Sequence, residues 1–205
     1  MNEWRRSRFG NPAAWYTAIG CGLLGLSLVI PWLSASRTTR AELRADGVAN
    51  AMLEASRGFT PPLDAGDVQC LLARFYQAAA CQGVRTTEVV QVKPAPEGTL
   101  LCLKNKYYAF QLSESPLDAT ARAGVGTVGS VEVLAWPLST ISPGHCVFFY
   151  PEGSSRAYSR NLRRSYAGLD QNDRPMPGAA HRRPGLGSVK RSQYPGNDNE
   201  RWIIY

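Results

Sequence analysis

The stretch NPAAWYTAIGCGLLGLSLVIPWL, residues 11–33, decides the architecture. Asn11 and Pro12 form a helix-start signature, because Asn caps the free amides of a first turn and Pro at the first helical position gives up no hydrogen bond. From Ala13 to Leu33 no side chain is charged. As a helix these residues rise about 30 Å, the thickness of a bilayer's hydrocarbon core. Trp15 and Trp32 stand near the two ends, where indole rings favour the interface. The run predicts one transmembrane helix over 12–36 behind a basic segment, 1–11. Three other fates compete with an anchor, of which a buried core helix is disfavoured by the length of the uncharged run. Ser34, Ala35 and Ser36 have the small-x-small character of a signal-peptide cleavage site, although the apolar run is long for a signal. Arg5 and Arg6 could be taken as a twin-arginine export signal, but they read more simply as topology determinants.

Arginines flank both ends, with Arg5, Arg6 and Arg8 before the span and Arg37, Arg40 and Arg44 after it, so the charge rule is nearly balanced. Long C-terminal domains cross a membrane regardless of nearby charge, and the cysteines beyond the span suit an oxidising compartment. The expected placement is a bacterial inner (cytoplasmic) membrane, single-pass, with a periplasmic C-terminal domain.

Within the span Ala14, Ala18 and Gly22 recur every four residues, with Gly25 close to the same face. Small residues so spaced let another helix approach closely, although they are also common in membrane helices generally. The span contains no His, Asp, Glu, Lys or Arg. It therefore offers no ligand to haem or to a chlorophyll magnesium and no proton relay, so the expectation is packing, with no cofactor and no metal.

Beyond Pro31, which is expected to kink the helix, Arg37–Arg57 has helix-favouring composition and Gly58 is a plausible stop. Pro61 and Pro62 break the chain before a second helix over Asp67–Cys81, with an apolar stripe of Val68, Leu71, Leu72 and Phe75. Strand patterns follow at Glu88–Val92, Thr99–Lys104, Tyr107–Leu112, Val131–Trp136 and Cys146–Tyr150, the second and third joined by a turn at Asn105 and Lys106. The fold class is α+β: a transmembrane helix, one or two further helices and a small, mainly antiparallel sheet within a soluble domain, 37–150. An extended basic tail, 151–205, follows, because Arg, Gly, Pro, Ser and Asn dominate there.

A net charge of +7 favours anionic partners: lipid headgroups, an acidic protein surface or nucleic acid. In the tail, Arg156, Arg160, Arg163, Arg164, Arg182 and Arg183 alternate with tyrosines and precede Trp202. Arginine with aromatics can stack on single-stranded nucleic acid, but an exported domain makes that destination remote. The same residues suit a strap over an acidic protein surface, or simply a solvated tail.

Cys70, Cys81, Cys102 and Cys146 permit two disulfides or four buried thiols. If Asp67–Cys81 is helical, Cys70 and Cys81 lie about 16 Å apart along the axis, which leaves bridges from the helix to Cys102 or Cys146. Gly124, Gly126 and Gly129 spell a dinucleotide-loop spacing, but they precede a strand where that loop must follow one, so a turn is the better reading. His145 and Cys146 are adjacent, hence on opposite faces of an extended chain and poorly placed to cooperate. No catalytic residue, small-molecule substrate or nucleic-acid partner is predicted.

The layout resembles the type IV pilin and pseudopilin group: a basic leader, an apolar helix with proline near its far end, a helical continuation and a small β domain. Residues 107–112 (YYAFQL), 133–137 (VLAWP) and 148–150 (FFY) are similar to the strand pattern of some pilin-like proteins. The resemblance implies processing before a glutamate five residues into the mature chain; counting from Asn11, Trp15 stands there instead. The first expectation is a non-enzymatic accessory or scaffolding subunit of a larger integral-membrane complex, photosynthetic or respiratory, with other integral-membrane subunits and lipid headgroups as partners. A pilin-like or secretion-system component is the alternative, and a membrane-tethered enzyme the third.

Overall fold

The computed structural model describes residues 12–96, 98–115, 130–182 and 192–205. Its first element, α1, is one helix of 45 residues, Pro12–Ser56. The expected span and the expected Arg37–Arg57 helix are thus a single rod. Pro31 lies inside it, since one missing donor is outvoted by the bonds of the turns on either side. The two halves differ in surroundings. Ile19, Leu23, Leu28, Val29, Ile30, Trp32 and Leu33 are exposed, whereas Ala41, Ala45, Val48, Ala49, Met52 and Ala55 form a buried stripe at helical spacing. Five alanines in or beside that stripe let the sheet backbone come close.

After a turn, α2 (Ala65–Cys81) begins with a capping box: Asp67 N donates to Asp64 Oδ1 at 2.7 Å and Asp64 N donates to Asp67 Oδ2 at 3.2 Å. Leu71, Phe75 and Ala79 are its buried face. The helix starts two residues earlier than the apolar pattern shows, because the N-cap is Asp64 and Asp67 lies inside the first turn as its capping-box partner. Gly47 marks the close approach to α1, where an added Cβ would stand 3.0 Å from Val84 Cγ2.

The strands are β1 (Val90–Gln91), β2 (Leu101–Lys104), β3 (Tyr108–Glu114), β4 (Val131–Pro137), β5 (Val147–Pro151), β6 (Ala157–Ser159), β7 (Gln193–Pro195) and β8 (Arg201–Ile204). They form one antiparallel eight-stranded open sheet in the order β1-β2-β3-β4-β5-β6-β8-β7. The β2–β3 hairpin turns where Asn105 and Lys106 were expected to turn it. Asn105 Oδ1 accepts from the amides of both Tyr107 and Tyr108, at 2.9 and 2.8 Å.

The segment expected to be an extended tail supplies β6, β7 and β8 and closes the far side of the sheet. Composition misleads here because the strands are only three or four residues long, and their apolar content is diluted by the polar loops between them. One sheet face packs on α1 and α2 through Leu101, Leu103, Phe110, Leu112, Val133 and Tyr150. The other buries Leu134, Trp136, Phe149 and Trp202 beneath the returning residues Tyr166 and Ala180. The sheet is thus a middle layer covered on both faces, which accounts for the unbroken burial of β4.

Candidate assembly surface on helix α1

Among the described residues, the exposed large apolar side chains concentrate on α1 between Ile19 and Leu33. The stretch within α1 that is long and apolar enough to cross a membrane has none of its residues buried. A run of exposed Ile, Leu, Val and Trp this long is unfavourable in water, and by length and composition it is able to cross a membrane.

The C-terminal half of α1 is held by polar contacts as well as by its alanine stripe. Glu42 Oε1 accepts from the backbone amides of His145 at 3.0 Å and Cys146 at 3.3 Å. One turn on, Asp46 Oδ1 accepts from the hydroxyls of both Tyr150 and Tyr205. One further turn on, Asn50 Oδ1 accepts from Arg156 at 2.5 Å, and that guanidinium lies 5.0 Å from the centroid of the Tyr150 ring. Glu42, Asp46 and Asn50 follow one another at i+4, so a single polar line down the helix bonds to the β4–β5 loop, β5 and the chain around β6 and β8. Burial, followed by the hydrogen bonds to Asp46 and Tyr205, pushes the Tyr150 hydroxyl far above its ordinary range. Gly144 makes the loop fit: its φ is +98°, and a Cβ there would stand 2.8 Å from Tyr108 Oη.

Where α1 leaves the domain, a recess of about 900 Å³ opens between the helix and the loops β2–β3 and β4–β5. Ile30 and Leu33 line its helix side below Arg37; Lys106, Ile141 and His145 line the opposite side. Ile141 is 92% exposed, an apolar side chain held out at the rim of the recess.

The other residues singled out by sequence are distributed as follows. Ala14 and Ala18 lie in α1 but their side chains are outside the described set; Gly22 and Gly25 are exposed with open space around them. The surface expected to admit a second helix is unoccupied within the chain at both glycines. Gly124, Gly126 and Gly129, and Arg183, lie outside the described residues.

The tail arginines divide. Arg156 is engaged with Asn50. Arg163 donates to Asn199 O at 3.0 Å and Arg164 to Asp198 O at 2.6 Å. Arg160 and Arg182 are exposed. Trp202, expected at a partner surface, is instead fully buried, with Nε1 donating to Asp198 Oδ1 at 3.3 Å. An aromatic flanked by polar loops reads as a surface anchor until the strand that carries it is known to pair.

The cysteines are all free. Cys70 and Cys81 lie exposed on the outer side of α2, and Cys146 is half-buried beside α1. Cys102 is buried in β2 on the face turned away from the helices, because Leu101 and Leu103 occupy the face toward them. Strand alternation therefore keeps Cys102 from either helix cysteine; of the two readings open from the sequence the free thiols stand, with Cys70 and Cys81 exposed and not buried. Burial pushes the Cys102 thiol up to about 11; burial and then the neighbouring Glu42 push Cys146 up to about 12.

Sequence reasoning missed a buried polar group on that second face. Glu132 of β4 is fully buried; its Oε1 accepts from Gly178 N at 2.6 Å and its Oε2 lies 2.5 Å from His181 Nε2. Ser115 Oγ stands 3.3 Å from the same nitrogen. A nucleophile–base–acid relay needs the serine and the acid on opposite ring nitrogens. Here both converge on Nε2, so the geometry ties the returning segment to the sheet and does not prime Ser115. The signal available in the sequence was Glu132 itself, a lone acid inside the apolar run of β4. Among the described residues no three His, Cys, Asp or Glu side chains are grouped to hold a metal ion.

No family model, curated protein or solved structure matches the chain.

Proposed function

We propose that this protein is a non-enzymatic, single-span subunit that assembles with other integral-membrane subunits through α1. The observation that carries the reading is the contrast within one helix. Its first half exposes Ile19, Leu23, Leu28, Val29, Ile30, Trp32 and Leu33, and its second half is clasped by the sheet through Ala45, Val48, Ala49 and Met52. Lipid tails satisfy such a surface, and Gly22 and Gly25, with open space around them, allow a neighbouring helix to approach. A domain on the periplasmic side of a bacterial inner membrane fits this arrangement.

A pilin-like or secretion-system component is the alternative to an accessory subunit of a photosynthetic or respiratory complex. The supporting observation is the continuity of α1 over 45 residues from apolar half to sheet. Such a rod presents both a bilayer-length surface and a domain fixed to it, which is what helix-to-helix stacking of identical subunits requires. Trp15, where that family places glutamate, is the departure, and it argues for a role other than a repeating major subunit.

The reading is tested by gentle detergent extraction, native electrophoresis and mass spectrometry. Co-migration with integral-membrane subunits, or a ladder of its own multimers, is the expected result. Migration solely as a monomer overturns it. Intact mass then separates the two kinds of host: a chain starting at Asn11 with a methylated amine supports the pilin-like form, and a chain retaining residues 1–10 supports the accessory subunit.

A further inference from the structure

We infer that the recess at the foot of the domain is a seat for an anionic phospholipid. The inference rests on α1 crossing a bilayer and adds the partner that the crossing point selects.

The recess changes character over a short distance along one helix. From Ile30 to Arg37 the axis rises about 10 Å, and over that rise the lining passes from Ile30 and Leu33 to a guanidinium. The facing loops supply the same mixture, an exposed Ile141 together with Lys106 and His145. An acyl chain laid against Ile30 and Leu33 puts its phosphate level with Arg37 and Lys106. The guanidinium forks to two phosphate oxygens and the ammonium acts as a point charge.

Among the described residues no carboxylate lines the recess. Glu42, the acid of α1 closest to the recess lining, is turned to the amides of His145 and Cys146. Neither Arg37 nor Lys106 forms an ion pair among the described residues, and Lys106 lies 5.3 Å from the Tyr107 ring centroid. Trp32, 69% exposed and within two turns of Arg37, belongs at the same interfacial level. Charge complementarity thus selects an anionic headgroup, and the apolar lower half selects one that carries a chain.

The test uses the full-length protein extracted from membranes into micelles containing equal amounts of phosphatidylglycerol and phosphatidylcholine, followed by native mass spectrometry of retained lipid. The expected result is retention of phosphatidylglycerol in preference. The R37Q/K106Q double variant reduces that preference about fivefold for each basic residue, the factor one charge supplies at an anionic surface. R57Q, at an exposed arginine just past the other end of α1, leaves it unchanged. All three positions are exposed, so folding is not at stake. Equal retention of the two lipids overturns the proposal, as does a preference that R37Q/K106Q leaves intact. Displacement of the lipid by inorganic phosphate alone overturns the lipid source and leaves a phosphate seat; a lipid-free dimer overturns it in favour of a second copy. If the protein instead leaves the membrane in alkaline carbonate, the span itself has failed, a result distinct from the failure of the seat.

Discussion

His181 and Glu132 face each other at 2.5 Å across the sheet face that turns away from α1. The pair joins the returning segment to the centre of the sheet, and Gly178 N adds a bond to the second carboxylate oxygen. Removing one member leaves the other buried without its partner.

H181A is accordingly expected to destabilise the folded protein by about 1–3 kcal/mol, the cost of leaving a buried polar group without its partner, whereas replacing both residues by leucine recovers part of that loss and leaves only the Gly178 amide without its acceptor. Thermal unfolding followed by near-ultraviolet circular dichroism measures both. A double variant no better than H181A would mean that the pair is not the tie.

The clasp on α1 offers a second measurement. Glu42 accepts two backbone amides, and E42A is expected to cost about 2 kcal/mol. G144A should act on the same loop for a different reason, since its Cβ collides with Tyr108 and its φ is positive. Both variants should raise amide exchange in the β4–β5 loop and leave α2 protected. Equal loosening of α2 would contradict a local clasp.

Acid titration reads the loop before β8. Burial pushes the Glu200 carboxyl up, but the amides of Arg164, Arg201 and Arg163 together outweigh it and hold the group below its ordinary value of 4.5. A depressed folded value contributes stability that is present above 4.5 and lost as pH falls below it. E200Q should therefore lower Tm at pH 7 by about 5 °C and have a smaller effect as the pH is taken below 4.5. Asp198, pushed up by burial, has the opposite sign: its ionisation opposes folding as pH rises past 3.8. A drop in E200Q of the same size above and below pH 4.5 would refute the assignment.

Thiol labelling tests the cysteines and the span together. Cys70 and Cys81 should react rapidly with maleimide, and Cys102 and Cys146 only on unfolding, while dithiothreitol leaves Tm unchanged. Cys21, exposed on α1, should be shielded in intact membranes and become reactive in detergent. Ready labelling of Cys21 in sealed membranes would mean that the segment around it is not in lipid.

What could be read from the sequence was what local pattern determines. Twenty-one uncharged residues from Ala13 to Leu33 gave a helix able to span. Alternation gave β2 to β5, and Asn105 gave their first turn. The C-terminal third resisted because its order depends on distant partners: Glu132 and His181 are 49 positions apart, and Arg163 and Arg164 donate to Glu200 from 36 or more positions away. No window of composition contains both members of such a pair. The recess was hidden for the same reason, since Arg37, Lys106 and His145 meet only after the sheet has folded onto α1.

The unbroken course of α1 has a mechanical meaning. No slack tether separates the apolar half from the clasped half, so a tilt, turn or axial pull on residues 19–33 is delivered through Glu42, Asp46 and Asn50 straight into the strands. The helix is an axle, and the sheet is keyed to it.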